Sequence, residues 1–198
     1  MRTILFYFLS TCSLLVCWPT AEAGNYWLQQ RWQFKDAVGA LEKGDLKAFN
    51  RFSALAADYP IAHYLRYLYL KSHLETEKAE TLLAFLAQYK GSPFVQPLRK
   101  AWLLQLAKQR DWKTFIAAYA PQEDTVLRCY YLQALLHTQG HLQEQLDEAK
   151  DLWLVGKSQP EECDSAFKYL YDNEIITREL RWQRIRLAMQ NGKWGLAR

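Results

Sequence analysis

The segment WLQQRWQFKDAVGALEKGDLKAFNRFSAL, residues 27–55, decides the fold class. Trp27, Gln30, Arg31, Phe34, Val38 and Leu41 recur at three- and four-residue steps, the period of one face of an α-helix. Gly44 stops that run, and Asp45 is placed to cap a second helix bearing Leu46, Phe49, Phe52 and Leu55. The same grammar continues along the chain. Tyr59-Pro60 breaks it before Tyr64, Tyr67, Leu68 and Lys71, and Thr76-Glu77 opens the next helix, with Leu82, Leu83, Leu86 and Tyr89. Gly91-Ser92-Pro93 reads as a turn, and Pro97 suits the first turn of a helix with Trp102, Leu103, Leu106 and Ala107. Further helix pairs are expected at 124–139 with 142–155 and at 162–172 with 177–191. Almost no stretch alternates with period two, so the chain reads as all-α.

Four junctions share one shape: Lys43-Gly44-Asp45-Leu46, Gln109-Arg110-Asp111-Trp112, Gln139-Gly140-His141-Leu142 and Asn191-Gly192-Lys193-Trp194. Each is a polar tight turn followed by Leu or Trp at the start of the next helix. The first two intervals between them are close to two units and one unit of about 33 residues, and the third is irregular. Antiparallel helix pairs of this length stack into an α-solenoid, each pair covering its neighbour's apolar face. The Trp, Leu-Gly, Tyr and Pro pattern of a tetratricopeptide repeat is met in no unit, so the array reads as a degenerate, TPR-like superhelix. After Gly192 a new helix opens with Lys193 and Trp194 and the sequence stops at Arg198. A solenoid end carries a polar capping unit, so the chain is expected to be the first part of something longer.

Residues 1–23 stand apart. Arg2 gives a positive start, Ile4–Trp18 is a mostly apolar run, and Ala21-Glu22-Ala23 places small residues at −3 and −1 of a cut after Ala23. That is the pattern of a secretory signal peptide, and the run is short for a spanning helix, which needs about 20 apolar residues. A lipoprotein would use Cys12 or Cys17, but Thr11 and Val16 stand where a small residue is wanted. The expected mature domain is therefore 24–198, exported and free of the membrane after cleavage. Its remaining cysteines, Cys129 and Cys163, read as one disulfide in an oxidising compartment, with two buried thiols as the alternative.

Composition narrows the function. Half the residues are apolar, 15% aromatic and 23% charged, with a net charge of +4 spread without a long run of one sign. Such a chain is not disordered, and no segment gathers the basic face of a nucleic-acid binder. His63, His73, His137 and His141 lack metal-ligand spacing, and no cofactor motif is present. Gly156-Lys157-Ser158 lacks the upstream glycine of a phosphate-binding loop. Glu161-Glu162 sit after Pro160 at a helix start, where acids are common for helix-dipole reasons, so no catalytic residue is assigned. Tyr64, Tyr67, Tyr69, Tyr130 and Tyr131 are either inter-helix packing or the lining of a sugar-binding surface, packing being the commoner use.

One segment carries a family resemblance: Asp151-Leu-Trp-Leu-Val-Gly-Lys-Ser-Gln-Pro-Glu-Glu-Cys-Asp164. Its aliphatic-Trp-aliphatic helix end, Gly-Lys-Ser-Gln-Pro and Cys-Asp resemble the amino-terminal region of soluble lytic murein transglycosylases. Arg128-Cys129-Tyr130-Tyr131 resembles that family's Cys-Asn-Tyr-Tyr, which supplies the partner cysteine. Arg184-Ile-Arg-Leu-Ala-Met189, Asp58-Tyr59-Pro60 with Tyr64-Leu65, and Arg110-Asp111-Trp112 match in order.

The resemblance implies a U-shaped helical piece of an exported enzyme that cleaves the MurNAc–GlcNAc bond of peptidoglycan, leaving a 1,6-anhydro sugar. In that family a separate lysozyme-like domain does the chemistry, marked by Glu-Ser, Gly-Leu-Met-Gln and Ala-Tyr-Asn-Ala-Gly motifs. None of these occurs in this sequence; Ala118-Tyr119-Ala120 is not the third. The expected function is thus the superhelical part of a lytic transglycosylase without its active site, binding peptidoglycan weakly through its surface. The alternative is a stand-alone periplasmic scaffold for murein or for cell-wall proteins.

Overall fold

The computed structural model describes residues 21–195, with side chains from Trp27 onward. The expected signal peptide lies almost wholly outside the described residues. Among those residues there are ten α-helices and no strand, the fold class that the periodicity predicts. They are α1 (Ala21–Glu42), α2 (Leu46–Leu55), α3 (His63–Ser72), α4 (Ala79–Gln88), α5 (Val95–Gln109), α6 (Trp112–Ala118), α7 (Thr125–Gln139), α8 (Leu146–Trp153), α9 (Asp164–Asp172) and α10 (Arg178–Gln190). Short 3-10 turns at Gln143–Gln145 and Glu161–Cys163 lead into α8 and α9. The chain divides into two compact units, one up to Arg66 and one from Tyr67.

In the first unit α1 packs on α2 across the Gly44 turn. Gly44 takes the left-handed conformation, φ 73°, which costs a residue without Cβ almost nothing. Asp45 then caps α2, its carboxylate accepting the Ala48 N–H at 2.9 Å. Tyr59 sets its ring against Trp27 and Phe34, with centroids 6.0 and 5.6 Å away.

The second unit holds two apolar clusters with α7 between them. Leu127 and Ala134 of α7 join Leu70, Leu82, Leu98, Trp102, Leu103 and Phe115. Cys129, Leu132 and Leu135 of the same helix join Leu142, Leu152, Trp153, Ala166 and Leu170. A helix that is apolar on two faces must be covered on two faces, and α7 packs on α5 and α6 as well as on α8 and α9. Cys129 and Cys163, both fully buried, are joined by a disulfide with Cα atoms 4.7 Å apart.

The four junctions noted in the sequence have one backbone geometry. Gly44, Arg110, Gly140 and Gly192 all have positive φ, 73°, 59°, 77° and 67°. Arg110 occupies the left-handed position that the other three fill with glycine, and Asp111 beside it caps α6 through the Thr114 N–H at 3.1 Å. A residue with Cβ is strained there by about 1 kcal/mol. Arg110 is exposed, so Arg110→Gly should raise stability by up to about 0.5 kcal/mol, the strain relief slightly exceeding the added chain entropy. Urea unfolding of the two proteins measures it, and a variant less stable than the parent contradicts it.

One boundary differs from the sequence reading. α4 begins at Ala79 rather than at Thr76-Glu77. The Thr76 and Glu77 N–H groups both bond the His73 carbonyl, so these residues finish the turn after α3. The Glu77 carboxylate accepts the Lys78 N–H instead of opening the helix.

Candidate functional site

The second unit carries an open groove of about 620 Å³, built where the end of α6 meets α7 and the start of α8. Its first wall is fixed by the stop of α6. Tyr119 is extended, with φ −66° and ψ 141°, and Ala120 precedes Pro121, which disfavours a helical residue before it. Arg99 of α5 donates from Nη1 to the Ala118 carbonyl at 2.5 Å. Asp124 then caps α7, accepting the Val126 and Leu127 N–H groups at 3.0 and 3.3 Å and pairing with Lys100. The loop is therefore held at both ends.

The other walls come from helix spacing. Arg128 and Tyr131 stand three apart on α7 and share a face, while Glu144 and Glu148 stand four apart on the segment that enters α8. Tyr131 lies flat on Tyr119, with centroids 4.0 Å apart and planes within 1°. Arg128 Nε donates to Glu148 Oε1 at 2.9 Å, an ion pair running from α7 to α8. Gln145 completes that side, and Gln122 on the loop donates to the Ala120 carbonyl at 2.8 Å.

The electrostatics favour neutral phenols. Burial first, and then the Glu148 charge, push the Tyr119 hydroxyl up to about 12, with Arg128 opposing. Burial and the carboxylates Glu148 and Glu144 push Tyr131 up as well. Both hydroxyls therefore remain hydrogen-bond donors throughout the neutral range. Glu148 gives one oxygen to Arg128. What the groove offers is aromatic surface with donors and acceptors around it, which is chemistry for binding.

Of the five tyrosines singled out in the sequence, Tyr131 lines this groove. Tyr67 is buried against Phe94, Tyr69 stacks on His73, and Tyr130 packs against Trp112 and Phe115. Tyr64 is on the surface. Tyr119, Gln122, Glu144, Gln145 and Glu148 were not singled out. The signal available was the three- and four-residue spacing of Arg128 with Tyr131 and of Glu144 with Glu148. His137 and His141 flank the Gly140 turn, and His137 stacks on Trp112 with planes within 7°. Among the described residues no group of three or more His, Cys, Asp and Glu is placed to hold a metal ion.

Gly156-Lys157-Ser158 has a packing role. A Cβ on Gly156 would overlap the Leu187 carbonyl of α10 and sit 2.5 Å from Asn191 Nδ2. Asn191 Nδ2 donates to the Gly156 carbonyl at 3.4 Å, and Gln159 Nε2 to that of Leu152 at 2.8 Å. Arg184 of α10 lies over the Trp153 ring at 4.5 Å. The segments that carry the family resemblance, 151–164 and 184–189, are thus packed on each other. Glu161 and Glu162 begin the 3-10 turn ahead of α9, as a helix start favours.

No family model matches the chain. It is 29% identical over 170 residues, 85% of its length, to the soluble lytic murein transglycosylase of Escherichia coli strain K12. To that of Salmonella typhimurium it is 29% identical over 94% of its length. The chain spans 26% and 29% of those two relatives, so about a quarter of their length.

Solved structures agree. The 70 kDa soluble lytic transglycosylase of Escherichia coli matches 86% of this chain and 28% of its own, with 28% identity and a TM-score of 0.74. An inactive mutant of the lytic transglycosylase Slt from Pseudomonas aeruginosa matches 83% of this chain and 27% of its own. There the identity is 34% and the TM-score 0.69. Over most of its length this chain resembles soluble lytic murein transglycosylases in sequence and in fold. Among the described residues no helix is long and apolar enough to cross a membrane.

Proposed function

We propose that this chain is the helical, murein-holding part of an exported lytic transglycosylase, with residues 1–23 a signal cleaved after Ala23 and 24–198 a periplasmic α-superhelical domain. The similarity to soluble lytic murein transglycosylases over 85–94% of the chain carries the reading. In this reading the glycan-cleaving acid belongs to another domain, and this part engages peptidoglycan. Its net charge of +4 faces stem peptides that bear carboxylates, so binding is weak and falls with salt. Exposed Lys and Arg contribute, and uncovered aromatics stack on sugar.

The test is to incubate purified Gly24–Arg198 with sacculi. The expected result is co-sedimentation that weakens as salt rises and no 1,6-anhydro-muropeptides above a heat-killed control. Release of such products overturns the assignment of chemistry to another domain, and salt-independent retention overturns the electrostatic account. One observation favours the second reading, a stand-alone scaffold with a protein partner. α10 buries only Ala188 and leaves Trp182 and Met189 exposed on one face. Failure of sacculi to retain the chain at any salt would favour that reading.

A further inference from the structure

We infer that the groove between Tyr119, Tyr131 and the Arg128–Glu148 pair is a glycan subsite that takes an uncharged, N-acetylated stretch of sugar strand. The inference rests on the murein-holding reading and names the place and the ligand chemistry. Four observations converge on it.

Size comes first. At about 620 Å³ and open to solvent, the groove suits part of a longer chain better than an enclosed metabolite. Next comes the pattern of polar groups. Arg128, Glu148, Gln122 and Gln145 are planar side chains with paired donors or acceptors, the geometry that meets neighbouring hydroxyls and an acetamide group. Tyr119 and Tyr131 bring apolar ring surface to the groove wall, and their protonated hydroxyls supply donors.

Charge decides between ligands. Arg128 is already answered by Glu148, and Glu144 adds a second carboxylate to the same groove. The local balance is negative, so a phosphate or a stem-peptide carboxylate is repelled while a neutral sugar is not. The last observation is rigidity. The ring stack, the ion pair and the capped loop hold the walls before any ligand arrives, and the disulfide at Cys129 ties α7 to the turn ahead of α9. A weak ligand is bound with less ordering cost in a groove already formed.

The experiment titrates the purified chain with N,N′,N″,N‴-tetraacetylchitotetraose, a neutral N-acetylglucosamine tetramer, and reads binding by calorimetry. Binding is expected to change less than about twofold between about 50 and 500 mM salt, because the ligand has no charge to screen. Ala120→Trp, which plugs the groove mouth without removing a contact, should weaken it at least about tenfold, as should Arg128→Ala. Leu104→Ala, an exposed change elsewhere, should leave it unaltered, with circular dichroism confirming that each variant is folded.

No binding of the tetramer by a chain that sacculi retain overturns the groove and leaves the murein reading standing. No binding of either overturns both. Unchanged affinity in folded Ala120→Trp overturns the groove, as does tighter binding of an anionic, carboxylate-bearing tetramer than of the neutral one.

Discussion

Removing the Cys129–Cys163 bridge should lower the unfolding free energy by about 3–4 kcal/mol, the chain-entropy value for a loop of this length. The two residues are 34 apart in sequence, and both sulfurs are buried in the cluster shared by α7, α8 and α9. A domain of this size is stable by about 5–15 kcal/mol, so the loss is a large fraction of the total. The comparison is Cys129→Ala with Cys163→Ala against the oxidised parent in urea. Alanine avoids burying new hydroxyls where nothing bonds them. Because neither sulfur is accessible, reductant added to the folded parent should act only as fast as the chain opens. The closed loop contains Glu144, Gln145 and Glu148, so the groove should loosen with it. A stability difference under about 1 kcal/mol would show that the bridge merely decorates a structure set by packing.

Gly156→Ala should cost about 3 kcal/mol, the upper end for overpacking a fixed interior. The new methyl group would meet backbone, the Leu187 carbonyl, rather than the movable end of a side chain. The segment after α8 must then lift from α10, and the Asn191 bond to the Gly156 carbonyl and the Arg184 stack on Trp153 are at risk. Gly39 is the internal control. Nothing lies within 4 Å of a Cβ built there, and it sits inside α1. Gly39→Ala should therefore stabilise by about 0.5–1 kcal/mol through helix propensity. Thermal unfolding of both variants separates the effects, and equal shifts of the same sign contradict the close-packing argument.

Much of the fold was legible because it is local. Helical spacing, caps and left-handed turns act within a few residues, so Gly44-Asp45, Arg110-Asp111 and Gly140 could be placed from sequence. Arg110 shows that the turn is recognised by its cap and neighbours even where glycine is absent. Thr76-Glu77 misled because the Thr76 hydroxyl turns back to the His73 carbonyl instead of capping, and both N–H groups bond that same carbonyl. The family-like segment 151–164 lacks a complete phosphate loop and has no assigned acid pair, and its Gly156 serves contact with α10. That contact spans a stretch of chain no local pattern reports. The groove was the least legible part. Its walls come from a loop, a helix face and the turn ahead of the next helix, and only Tyr131 belonged to a group already under suspicion.

The central claim is that this helical chain holds murein, the glycan strand resting in the groove while exposed Lys and Arg elsewhere meet the stem peptides. The most direct measurement is a ¹⁵N chemical-shift map of the chain titrated with soluble murein glycan fragments. The account predicts shifts gathered at Tyr119–Gln122, Arg128–Tyr131 and Glu144–Glu148, with the rest of the spectrum still. A spectrum unmoved by saturating fragments, or shifts gathered on α10 with the groove silent, would contradict it.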